Sequence, residues 1–456
     1  MSSSNKMSAL ELRASLSLAG IFGLRMLGMF VILPVFAIYA EQLPGGEDLT
    51  LVGFAIGAYG LTQAILQLPF GWWSDRYGRK PTIYVGLVIF AVGSIVAAAA
   101  PNIYIVILGR MLQGAGAISA AVIALTADLT REEHRAKAMA MIGSTIGLAF
   151  ALSLAVSPWL NKMIGVPGIF VLTAVLALAA MGVVYRLVPD APAQPRPDIG
   201  GLAGLWRALS DPQLARLNFG IFTLHAVLMA LFIMVPFSLR DAGLGIDAHW
   251  EVYLPVMLGS FVLMIPAILN AGKAHLIKAI FSGSIALILL AQLLMPWLAG
   301  GVVPIAIFLL LFFTPFNVLE AMLPTLTTRL APAGAKGTAI GLYSSIQFFG
   351  TFVGAVAGGF AYGRWGVSGV VILDAALLVI WLILALGMKI PAPLSARTYD
   401  LPELDADQAV RLTVRLRGLP GVHEARVAAV ERTAYLKVDS AGFDEQTVRK
   451  LLEGGM

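Results

Sequence analysis

The chain has no cysteine in its 456 residues. That excludes disulfides, thiolate metal sites and cysteine nucleophiles. Charge is scarce too: Asp, Glu, Lys and Arg make up 12% of the residues, about half of what soluble domains carry. So few charges cannot build a water-facing surface, and lipid is the expected solvent for most of the chain. The five histidines (His134, His225, His249, His275 and His423) are scattered, without H-E-x-x-H spacing, so no zinc site is expected. There is no Walker loop, no Gly-x-Gly-x-x-Gly between strand and helix, and no nucleophile–base pair. ATP drive, enzyme activity, a cofactor and a nucleic-acid partner are therefore not expected. A cleavable leader is also missing from the reading. Met1–Asn5 is polar, Glu11 interrupts the first apolar run, and no short apolar segment ends in A-x-A.

What is there is hydrophobic: 59% of the residues. A span needs roughly 20 apolar residues. Twelve such runs can be marked, at 16–40, 50–73, 82–100, 103–127, 138–160, 167–187, 214–239, 250–271, 275–298, 301–325, 338–361 and 367–388. The basic residues test this map. With the N-terminus placed inside, eighteen of the 31 Lys and Arg fall on the inner side. Only Lys162, Arg240 and Arg364 fall on the outer side. Such a split supports twelve spans with both termini cytoplasmic, and an odd count would scramble it.

The longest internal connection, Pro189–Pro212, divides the chain six and six. Within it, Gly201–Leu209 places Leu202, Leu205, Trp206 and Leu209 on one face, as an interfacial helix does. After Ile390 the composition turns soluble. Ala396–Leu401 reads as a strand, Asp405–Arg417 as a helix capped by Asp405, Val422–Val430 and Thr433–Val438 as a hairpin, and Phe443–Leu452 as a second helix. Leu412, Val414 and Leu416 also alternate, which competes with the helical reading. The β-α-β-β-α order suits a small ferredoxin-like domain. The expected division is 1–188 for the first six-helix bundle, 189–212 for the linker, 213–390 for the second bundle and 391–456 for the soluble domain.

The strongest local signal is Gly71-Trp-Trp-Ser-Asp75-Arg76-Tyr-Gly78-Arg79-Lys80-Pro81, between the second and third runs. Gly71 lets helices approach closely, and Gly78 permits a sharp turn. Asp75 stands where a carboxylate can face a helix N-terminus. A loop that merely obeyed the positive-inside rule would explain Arg76, Arg79 and Lys80, but not the glycines or the aspartate. The stretch resembles the G-x-x-x-D-R-x-G-R-[RK] signature of the major facilitator superfamily at every fixed position. The resemblance implies two six-helix bundles with substrate near the midplane. It also implies that Asp128, at the end of the fourth run, pairs with Arg79 while Asp75 faces the start of the eleventh. Such a cluster would latch the inner gate shut in the outward-open state; a solvated helix end is the plainer reading of Asp128.

Leu108-Gly109-Arg110-Met-Leu-Gln113-Gly114-Ala-Gly116 resembles the family's fourth-helix motif. Two readings of Arg110 stay open: proton coupling or anion attraction in the cavity, and a permanent bond to carbonyls of a neighbouring helix. In the fifth run, Gly143, Gly147 and Ser157-Pro158 match the family's antiporter motif only in part, with Ser157 in place of its second glycine. The other polar residues inside the runs are Arg25, Gln63, Gln67, Asn218, His225, Asn317, Glu320, Gln347 and Asp374. Gln63 and Gln67 share one face and either line the cavity or bond a neighbour. Glu320 is the first candidate to carry a proton and His225 the second; Arg25, Arg110 and Asn317 complete the cavity candidates. Packing or gating is the competing role of Glu320. Asp374 reads as lying near the outer interface.

Gly23-Leu-Arg25-Met-Leu-Gly28-Met29, Phe316-Asn-Val-Leu-Glu320-Ala and the C-terminal domain resemble the YajR-type bacterial efflux transporters. The resemblance implies a multi-pass protein of the bacterial inner membrane. It would move a small-molecule substrate by alternating access, through proton-coupled efflux, in contact with membrane lipid. A sensor that kept a transporter's shell is the alternative. Lacking C-x-x-C, the soluble domain is not expected to bind metal. Regulation, ligand binding, self-association and simple support of the membrane face remain open for it.

Overall fold

A computed structural model of the chain describes residues 7–190, 209–271, 273–331, 336–388, 394–402, 405–428, 432–439 and 442–454. The expected interfacial helix at Gly201–Leu209 falls almost wholly outside them. Ten helices among the described residues are long and apolar enough to cross a membrane. Two of these are each broken by one glycine outside helical geometry, Gly165 (φ 68°) in Glu132–Leu187 and Gly366 (φ 59°) in Lys336–Leu386. Twelve spans result. They are Ala9–Ala40, Leu49–Tyr77, Arg79–Ala98, Ile103–Asp128, 132–164, 166–187, Pro212–Asp241, Ile246–Asn270, His275–Leu298, Val302–Leu330, 336–365 and 367–386, called spans one to twelve below.

The residues group into two compact units. One holds residues 1–267 and 281–388, the helical body. The other holds residues 268–280 and 389–456, which include the soluble domain.

Capping sets several starts in the body. Ser8 and Glu11 form a reciprocal capping box at span one. Asp48, Asn102 and Asp211 accept backbone N–H groups at the starts of spans two, four and seven, and Pro212 follows Asp211 where a missing N–H costs nothing. Glu11 also answers to a remote partner. Its carboxylate accepts the backbone N–H of Arg131 (2.9 Å) and the guanidinium Nε and Nη2 (3.0 Å each), tying span one to the loop before span five. The sequence shows Glu11 only as an interruption of an apolar run.

Span eleven is packed on two sides. Gly350, Gly354 and Gly358 stand one turn apart against Phe222, Ala226 and Ala230 of span seven. Its other side meets span two, which belongs to the first half of the chain. A Cβ at Gly53 would overlap the Ala355 carbonyl oxygen, and one at Gly60 would lie 2.6 Å from that of Phe348. Only glycine allows backbones this close. Nearer residues 71–81 the approach is through a side chain and not backbone to backbone: a Cβ at Gly341 would lie 3.3 Å from Leu68 Cδ2. On the face away from the motif, Arg240 of span seven pairs with Glu41 at the end of span one. Between these, Phe150 of span five packs against Phe232, Phe313 and Phe316, with ring centroids 5.8–6.3 Å apart. The halves thus meet in a seam that is tightest on the face opposite the motif loop.

The soluble domain is a three-stranded antiparallel sheet with two helices. The strands are β1 (Leu394–Asp400), β2 (Val422–Ala428) and β3 (Thr433–Asp439), in the order β1-β3-β2. Helix Ala406–Arg417 starts at Asp405, whose carboxylate accepts the Gln408 N–H (2.6 Å) while Gln408 Oε1 accepts the Asp405 N–H (2.8 Å). Leu416 and Ala409 are buried and Val414 is exposed, so the segment follows the helical period and not the alternation that competes with it. Leu401, Leu416, Leu436, Val438 and Val448 form the core. At helix Glu445–Gly454, the Thr447 hydroxyl and Gln446 N–H bond Asp444 and hold its carboxyl below the usual range.

Candidate functional site

Three polar clusters among the described residues of the helical body hold the candidates. The first is the motif loop. Span two ends at Gly78, whose φ of 101° strains any residue with a side chain, and span three begins at Arg79. Arg79 Nη1 lies 2.6 Å from Asp75 Oδ1 and donates to Ser74 Oγ at 3.0 Å. Its Nε donates to Asp128 Oδ2 at 3.1 Å. Spans two, three and four are thereby joined within the first half. Lys80 pairs with Asp190 (2.7 Å), and Arg76 lies over the rings of Trp72 and Tyr77. Gly71 comes into ordinary contact with Ala120 of span four. Span eleven begins at Lys336, whose side chain, like residues 332–335, lies outside the described residues; the expected meeting of Asp75 with that end falls there.

The second cluster lies inside the first half. Arg25 of span one donates to Gln63 Oε1 of span two and to Ser119 Oγ of span four (2.9 Å). Gln63 in turn donates to Gln67 (2.6 Å), so the two glutamines bond each other as well as a neighbouring helix. Arg110 is buried. It donates to the carbonyls of Ala55 (3.3 Å) and Ile56 (3.4 Å) and to Gln113 Oε1 (2.8 Å), and Gln113 reaches Ser94 (2.7 Å). These are the bonds of the structural reading of Arg110. Both guanidiniums face the ring of Tyr59, at 5.7 and 5.1 Å.

The third cluster lies in the second half, across spans seven, ten and eleven. Gln347 Nε2 is 2.8 Å from His225 Nε2 and 3.4 Å from Glu320 Oε1. His225 Nδ1 is 3.3 Å from the Ile221 carbonyl, which can only accept, so that nitrogen carries the ring proton and Nε2 accepts from Gln347. Glu320 Oε2 is 3.9 Å from His225 Nε2, buried, and without a hydrogen-bond partner among the described residues. Burying a charged carboxylate oxygen without a donor is costly.

The remaining candidates stand apart. Asn317 turns away from Glu320 and donates to Ser260 of span eight (3.0 Å). Asp374 has no exposed surface and accepts from Gln292 of span nine (2.7 Å). Gly143 and Gly147 of span five face open space, and the backbone stays helical through Pro158 up to Gly165. Gln347 appears in the sequence only as one more polar residue. Its place between Glu320 and His225 depends on contacts 27 and 122 residues away.

A family model described as Major Facilitator Superfamily matches residues 18–355. The chain belongs to that superfamily. It is a multi-pass membrane transporter and not an enzyme, with twelve spans in two six-helix halves and a small C-terminal α+β domain. The chain is 41% identical over 438 residues to the inner membrane transport protein YajR of Escherichia coli (strain K12), which covers 95% of this chain and 96% of that protein. It is 24% identical to multidrug resistance protein 1 of Bacillus subtilis (strain 168), over 82% of this chain and 95% of that one. The crystal structure of the human organic anion transporter MFSD10 superposes with a TM-score of 0.63 at 18% identity, covering 82% of this chain and 99% of that one. At that identity the likeness concerns the fold.

Proposed function

We propose that this transporter is a proton-coupled exporter of small molecules, working by alternating access, with Glu320 as its proton carrier. The observation that carries the reading is the half-buried Glu320 carboxyl, whose Oε2 is buried and unpartnered among the described residues, beside the His225 imidazole. A carrier must gain and lose a proton, and this is the cavity candidate whose surroundings leave room for one. The seam supplies the second element of the reading. Halves packed more tightly on one face than towards the other are one of two states that exchange by rocking.

In the same reading the motif face is cytoplasmic. It carries the eighteen inner-side basic residues, and both termini lie with it in the bacterial inner membrane. The bundles divide at 1–188 and 213–390 around the 189–212 linker, with 391–456 as a cytoplasmic appendage for regulation, ligand binding or self-association. Asp75, Arg79 and Asp128 already tie spans two, three and four within the first half, and they would become the latch of the inner gate by meeting the start of span eleven when the halves close on that face. Multidrug resistance protein 1 adds weight to efflux of drug-like molecules.

The test is flux in proteoliposomes under an imposed pH gradient, screened over cationic and neutral drugs. The reading expects gradient-driven transport that Glu320→Gln abolishes. Full transport by Glu320→Gln removes Glu320 as the carrier.

A further inference from the structure

We propose that Gln347 is a positioning residue that ties the charge of Glu320 to the seam between the halves. The inference rests on the proton-carrier reading of Glu320. The Gln347 amide has two N–H groups, and both are committed. One donates to His225 Nε2 at 2.8 Å and the other to Glu320 Oε1 at 3.4 Å. This arrangement suits a charged carboxylate, which only accepts. A protonated Glu320 carries an O–H on Oε2 and needs an acceptor, while its Oε1 can go on accepting. The acceptor facing Oε2 is His225 Nε2, 3.9 Å away, whose one lone pair already takes the Gln347 N–H. Bonding Glu320 there withdraws the Gln347 donor from His225. The bonds of Gln347 therefore differ between the two charge states of Glu320.

The backbone of Gln347 carries the difference to the seam. Its main-chain carbonyl accepts the Thr351 hydroxyl (3.2 Å). The Thr351 side chain and the carbonyl of Phe348 are the atoms that a Cβ at Gly60 of span two would meet, at 3.2 and 2.6 Å. One turn of span eleven thus touches Glu320 on one side and the opposite half of the protein on the other. The groups that face Glu320 are few. His225 approaches from span seven and Gln347 from span eleven. Tyr343, also of span eleven, is the further titratable group within its electrostatic reach. No Lys or Arg among the described residues lies within 4.0 Å of it.

The absence of native cysteine makes the test direct. Glu47 and Arg364 are exposed on the seam face in opposite halves. Spin labels at Glu47→Cys and Arg364→Cys report seam opening by pulsed distance measurement in liposomes while the pH is varied. The parent pair should show two distance populations exchanging with pH, and Glu320→Gln should freeze the exchange. Gln347→Met keeps the length of the side chain and removes both donors. It should retain both populations but move the midpoint to higher pH by about one unit, a tenfold change, because the charged carboxylate has lost a donor. Gln347→Asn, which keeps an amide on a shorter stem, should fall between, and it carries the test if the Met variant does not fold. A parent-like midpoint in both variants, with Glu320→Gln still frozen, overturns the role of Gln347 and leaves the carrier reading intact. Unchanged exchange in Glu320→Gln overturns the carrier reading, and this inference with it.

Discussion

The polar clusters of the two halves differ in kind. The first half holds guanidiniums. Arg25 and Arg110 keep their protons under all ordinary conditions, and they bond glutamines, a serine and backbone carbonyls while sharing the face of Tyr59. The second half holds a carboxyl, an imidazole and an amide, with one carboxyl oxygen left unbonded among the described residues. Under the proposed function this is a division of labour between fixed charge in one half and exchangeable charge in the other. Tight bonding at Arg110 braces helices, whereas incomplete bonding at Glu320 leaves a site for a proton. Burial differs too: Arg25 and Arg110 are fully buried, whereas Glu320 and Gln347 are only partly so.

Substitutions can break or sharpen this contrast. The largest effect is expected at Glu320. Glu320→Gln should lower gradient-driven flux at least about tenfold in reconstituted vesicles while leaving the yield of folded protein unchanged. Arg110→Met should do the reverse. It leaves two carbonyl contacts and Gln113 without their donor, so folded yield and thermal stability in detergent should fall, by about 3 kcal/mol on the scale of broken buried polar networks. Asp374→Asn sharpens the contrast within the second half. The Gln292 contact survives an isosteric amide, so pH-driven transport should stay within about twofold of the parent if acids outside the Glu320 cluster take no part. The smallest effect is expected on the exposed face. Arg240→Glu removes an ion pair across the seam worth about 0.5–1 kcal/mol, shifting the balance of open and closed seams by a few fold in the spin-label measurement. The charge swap of Glu41→Arg with Arg240→Glu should restore it.

Much of the fold is legible in the residue order, because lipid imposes a simple rule on length and apolarity. The twelve runs correspond to twelve spans, even where two spans are separated by a single glycine, Gly165 or Gly366. The soluble domain is legible for another reason: Asp405 and Gln408 announce a helix start, and Leu416 and Ala409 fall on the face that is buried. The ends are less well read. Span one starts at Ala9 and not near residue 16, because Ser8 and Glu11 begin the helix before the apolar run does. Remote pairings are the least legible. Arg240 stands out in sequence only as a basic residue on the sparse side, and its reason is Glu41, 199 residues away. Asp374 shows no partner in the sequence, and the Gln292 that bonds it is 82 residues away. The two readings of Arg110 divide on whether carbonyls of span two point at it, which no local pattern records.

The central claim is that the exchangeable proton sits on Glu320. Infrared difference spectroscopy of the reconstituted protein reads it directly, as the carboxyl C=O stretch followed across pH. The account predicts a titrating carboxyl band that disappears in Glu320→Gln and survives in Asp374→Asn. A band that survives in Glu320→Gln and vanishes in Asp374→Asn would contradict it.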